Sequence, residues 1–140
     1  MRMRVLTQTT KGKLLAIADD VTKLIEADKA TDTIMPAYPC DGERLIIVVA
    51  TAKAKMPESF ERFMRSLKKS VTANVAFIID GTPELAAPIV EMARTNNSNV
   101  LENDILYIKG GLPFKFLKSV TAEEKKLVAD WVADIKTKLA

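Results

Sequence analysis

The sequence contains no histidine. That removes both the commonest metal ligand and the side chain most often used as a general base near neutral pH. Cysteine occurs once, at Cys40, so no internal disulfide can form and a zinc site has almost nothing to be built from. Aromatic residues make up 6% of the chain, and no nucleic-acid-reading motif accompanies them. The longest apolar run, Leu45 to Ala50, is far too short to cross a bilayer. The amino terminus has neither the apolar core nor the small-residue cleavage site of a secretory signal. These absences predict a cytoplasmic protein with no nucleic-acid and no membrane partner. Any catalysis must come from a bound cofactor or from carboxylates and lysines.

What is present fits a single soluble domain over residues 1–140, with 48% hydrophobic and 28% charged residues. The net charge of +3 is uneven: residues 1–108 hold 14 basic and 14 acidic side chains, the remainder seven and four. Lys109, Lys115 and Lys118 fall in a segment without acids, from Lys109 to Val120. A solvated lysine fringe accounts for them; the sharper alternative is a contact surface for an acidic partner.

Periodicity orders the chain. Met3 to Thr7 has the content of a short strand, and the apolar face of Leu14, Leu15, Ile17, Ala18, Val21, Leu24 and Ile25 predicts a helix after it. Thr31 to Met35 alternates as a second short strand that Pro36 ends. Leu45 to Ala50 and Asn74 to Ile79 are continuous rather than alternating, the pattern of strands buried on both faces of a parallel sheet. Phe60, Phe63, Met64 and Leu67 mark an amphipathic helix behind Pro57. Thr82 and Pro83 start another, with Leu85, Ile89, Met92 and Ala93 as its face and a kink or late start at Pro88. Asn96 to Asn99 reads as a loop and Asp104 to Ile108 as the last strand. Thr121 and Glu124 form a capping box before a closing helix whose stripe is Leu127, Val128, Trp131, Val132, Ile135 and Leu139. Such alternation gives a three-layer, doubly wound α/β domain with a five-stranded parallel sheet.

Between the first strand and first helix lies Thr7-Gln8-Thr9-Thr10-Lys11-Gly12, a hydroxyl-rich loop feeding a helix amino terminus, where free N–H groups and the helix dipole favour an anion. It resembles the phosphate loop of flavodoxin-like proteins, Ser/Thr-x-Thr-Gly-x-Thr: Thr7 and Thr9 match, Thr10 replaces the glycine and Gly12 replaces the last hydroxyl residue. With the missing helix between the second and third strands, the resemblance favours strand order 2-1-3-4-5. It implies FMN held at the phosphate by Thr7 to Gly12, with Ala50, Thr51, Ala52 and Lys53 and then Asp80, Gly81 and Thr82 flanking the ring, and electron transfer to a redox partner protein. Neither ring loop has the usual aromatic, which implies weaker flavin binding. The alternative is a flavin-free, degenerate flavodoxin-like module acting in protein interaction or regulation. The hydroxyls of Thr7, Thr9 and Thr10 can equally satisfy a turn, Lys11 and Lys13 can be surface lysines, and Asp80 a turn residue. Cys40 reads as a packing residue. Gly12-Lys13-Leu14 lacks the upstream glycine and following hydroxyl of a nucleotide-binding loop.

Overall fold

The computed structural model describes residues 3–8, 12–27, 29–34, 40–95, 99–108 and 121–139. Its elements run β1 (Met3–Thr7), α1 (Lys13–Leu24), β2 (Asp32–Thr33), β3 (Glu43–Thr51), α2 (Glu58–Arg65), β4 (Thr72–Asp80), α3 (Pro83–Arg94), β5 (Asn99–Val100), a 3-10 turn (Glu102–Asp104), β6 (Leu106–Ile108) and α4 (Ala122–Lys136). All pairings are parallel, in the order β2-β1-β3-β4, with β5 and β6 both on the outer side of β4.

The two continuous apolar runs are the two central strands, as their pattern requires. Leu45 through Ala50 and Val75 through Ile79 are all fully buried because both faces of the sheet are covered. Alternate residues go to opposite layers. Val5, Leu45, Ile47, Val49, Ala76 and Ile78 pack with α1 and α4, while Leu6, Ile46, Val48, Val75, Phe77 and Ile79 pack with α2 and α3. The capping box forms as expected: Thr121 Oγ1 accepts from Glu124 N at 3.1 Å, and Glu124 Oε1 accepts from Thr121 N at 3.1 Å.

The fifth sheet position differs from the expected single strand. Val75 pairs with Val100 and Ile78 with Leu106, so three steps along β4 face six along the edge. The surplus is taken up by the 3-10 turn, which includes Asp104. Asn99 is strand rather than loop: its Nδ2 donates to Asn74 Oδ1 at 2.8 Å, and Asn74 Nδ2 donates to Arg44 O at 2.8 Å. Trp131 lies in the core stripe of α4 and its indole N–H donates to Asp104 O at 2.6 Å, tying the turn to the helix.

Smaller differences concern faces and ends. Helix α3 begins at Pro83 and continues through exposed Pro88, so the late start does not occur. Its buried line is Ala86, Ile89, Val90 and Ala93, with Leu85 and Met92 flanking. Leu24 and Leu127 are exposed at 41% and 48%, each on the rim of its helix's stripe. β2 is confined to two residues, and Met35 and Pro36 lie outside the described residues.

Arg4 is an unexpected core residue. It is 2% exposed, and its guanidinium donates to Asp32 Oδ2 at 3.2 Å and to Cys40 Sγ at 3.4 Å. Burial pushes the Cys40 thiol up and outweighs the opposing charge of Arg4, so Cys40 stays a protonated packing group.

Candidate functional site

The chain leaves β1 to the β2 side of the sheet and returns to β3 on the other, so the carboxyl ends of β1 and β3 flank a topological switch point. Thr7, Thr51 and Asp80 are the last residues of β1, β3 and β4, and the register sets Thr51 opposite Asp80.

Side chains brace these three ends together. Gln8 N donates to Val49 O at 2.9 Å, and Gln8 Oε1 accepts from Thr51 N at 3.1 Å. Thr51 Oγ1 donates to Asp80 Oδ2 at 3.1 Å, and Ala52 N donates to Asp80 O at 2.9 Å. Gln8 and Asp80 therefore do more than line loops: they fix the relative placement of β1, β3 and β4. Gly81 adopts φ 150°, and a Cβ there would stand 3.2 Å from Ala52 Cβ. Close approach of the two loops thus depends on glycine. Gly81→Ala is expected to lower stability by about 1–2 kcal/mol, from the backbone conformation and the crowding together. Urea unfolding measures it, and an unchanged midpoint would show that the loops separate freely.

Of the other residues selected from sequence, Thr7 is buried and its carbonyl accepts from Ile34 N at 3.1 Å. Thr9, Thr10 and Lys11 lie outside the described residues. Gly12 starts α1 with φ 85°, a conformation that explains glycine where the related motif has a hydroxyl residue. Among the described residues no side chain caps α1, and its first turn holds no acid. Ala50 is in the core beneath α2 and α3. Ala52 is buried too, whereas Lys53 is exposed and its N–H points to Met56 Sδ at 3.3 Å. Thr82 is exposed and caps α3, accepting from Leu85 N at 3.4 Å. No aromatic side chain stands in either loop.

Sequence reading named Lys13 and missed its partner. Lys13, 13% exposed, is ion-paired with Glu124 of the α4 capping box. Burial alone would raise the Glu124 pKa, but hydrogen bonds from Lys13 and Thr121, with the lysine charge, hold it below the usual carboxylate value. No local pattern links residues 111 positions apart. Elsewhere, a cavity of about 320 Å³ lies between α3 and β6, lined by residues that include Val90, Arg94, Glu102, Ile105 and Tyr107. Arg94 there is already paired, with Glu91 at 3.2 Å and with Glu102, and none of the residues selected from sequence lines it.

Parallel strands in 2-1-3-4 order with helices on both faces define a doubly wound α/β domain. The particular arrangement is the flavodoxin-like fold. Oxidised flavodoxin 2 from Bacillus cereus superposes on the chain with a TM-score of 0.69 at 14% identity, covering 99% of this chain and 100% of that one. No protein-family model and no curated protein matches the sequence.

Proposed function

We propose that the protein binds FMN weakly at the carboxyl ends of β1, β3 and β4 and serves in electron transfer with a redox partner protein. The observation that carries this reading is the uncapped, acid-free start of α1, the helix that follows β1. Its first N–H groups have no side-chain acceptor among the described residues, which suits a phosphate. Gly12 lets the chain enter the helix close to such a ligand. The Thr51–Ala52 and Asp80–Gly81 loops, drawn together by the contacts described above, offer backbone groups to a flat ring. The flavin supplies the one- and two-electron chemistry, and the protein binds and orients it. The fold alone is compatible with a flavin-free interaction module as well, and the missing aromatics favour that second reading.

Aromatic stacking contributes on the order of 0.5–1.5 kcal/mol per contact beyond area burial. Two missing partners therefore weaken FMN by up to roughly a hundredfold relative to a flavodoxin that has both. Titrating protein into FMN should quench flavin fluorescence saturably, with riboflavin bound more weakly because it lacks the phosphate. Absence of quenching by FMN, riboflavin and FAD at high protein concentration would leave the flavin-free module.

A further inference from the structure

The cavity of about 320 Å³ beside α3 falls at the small end of the range for ligand sites, about 300–1,000 Å³. It has room for a slim molecule and none for a folded partner. Its lining on α3 runs from Pro83 to Arg94, roughly 16 Å along the helix at 1.5 Å per residue. Ala87 and Val90 of α3, with Ile105 from the facing wall, make its middle apolar.

The two ends are polar and carry the same sign. At the carboxyl end of α3, Arg94 is paired with Glu91 at 3.2 Å and with Glu102. All three line the cavity, so two carboxylates share one guanidinium and one negative charge is left over. Tyr107 belongs to the other end, because its register with Ile79 sets it close to the link from β4 into α3. Its hydroxyl has no hydrogen-bond partner among the described residues. Burial raises the pKa of this phenol, and the charge of Glu84 raises it further, which puts Glu84 within electrostatic reach. Glu84 is exposed in the first turn of α3 and has no ion-pair partner among the described residues. An apolar groove with negative charge at both ends is thus set into a chain whose net charge is +3.

We propose that this cavity binds an elongated aliphatic dication, of the diamine or polyamine class. The methylene stem lies along Ala87, Val90 and Ile105. One ammonium group meets Glu91 and Glu102, and the other meets Glu84 and the Tyr107 hydroxyl. Arg94 holds its two carboxylates in place without cancelling both. None of these residues takes part in the flavin reading, and the inference does not rest on it.

Titration of the protein with octamethylenediamine at pH 7, followed by amide NMR shifts, tests the proposal. Shifts should saturate and be confined to α3, the 3-10 turn and β6. Trimethylenediamine has the same charge on a stem too short to span the groove. It should bind at least about tenfold more weakly, since each buried methylene contributes up to roughly fourfold. Octanoate, with an apolar stem and the opposite charge, should bind more weakly than octamethylenediamine. Glu84→Gln changes an exposed side chain and should weaken octamethylenediamine about two- to fivefold, the range for an exposed charge pair. Equal affinity for the two diamines would mean generic charge attraction and would overturn the proposal. So would tighter binding of octanoate, which would assign the cavity to anions through Arg94. Absence of saturable shifts at high diamine concentration, or an unchanged affinity in a folded Glu84→Gln protein, would overturn it as well.

Discussion

Glutamate in place of Ile47 is expected to abolish folding. Ile47 has no exposure, pairs with Val5 on one side and Ala76 on the other, and packs beneath α1 and α4. Substitution forfeits the burial of an isoleucine side chain, about 1.5–3 kcal/mol, and places a carboxyl group among apolar neighbours at a further cost of several kcal/mol. The sum approaches the roughly 5–15 kcal/mol that holds a domain of this kind folded. Ile47→Glu should show no cooperative melt by circular dichroism. A soluble variant with a sharp thermal transition would mean that the centre of the sheet is elsewhere.

Asp32→Asn should be the most damaging substitution of a polar residue in the N-terminal third, at about 2–4 kcal/mol. Removing one member of a buried ion pair typically costs about 3–5 kcal/mol, because the remaining charge loses its compensation. Asp32 is 21% exposed, which places the cost toward the lower end, but Arg4 is at 2% and cannot turn to solvent. Asparagine keeps the shape and one acceptor, so the loss reports charge rather than volume. Chemical denaturation measures it, and a change below about 0.5 kcal/mol, the usual range for surface sites, would show that Arg4 draws its compensation from other groups.

The layers of the molecule were legible because they follow from local period. Continuous apolar runs pointed to doubly covered strands, and Phe60, Phe63 and Met64 all face the core as their spacing requires. Thr121 and Glu124 announced a helix start from four residues of sequence. The ends of the central strands were legible in position and much less in detail. Thr51 and Asp80 end the central strands, but their mutual hydrogen bond, and the reach of Gln8 to Thr51, depend on register between distant segments. Arg4 illustrates the same limit. Its neighbours in sequence describe a strand, and the carboxylate and thiol it meets, Asp32 and Cys40, arrive from distant segments. Asn99 looked like one of four loop residues because its partner, the side chain of Asn74, is 25 positions away.

The split outer strand also bears on how these molecules behave when crowded together. A sheet edge with unpaired N–H and C=O groups is a template on which another chain can add, leading to aggregation or domain exchange. The two central strands each run nine residues, yet the flanking positions hold strands of two residues at β2, two at β5 and three at β6. The 3-10 turn interrupts the outer row after Val100, and the Asp104–Lys138 ion pair sets charge beside it. The sheet tapers toward both margins, and the described residues offer a neighbouring molecule no long ladder to extend. Deleting the turn to make one continuous edge strand would lengthen that template and favour edge-to-edge self-association.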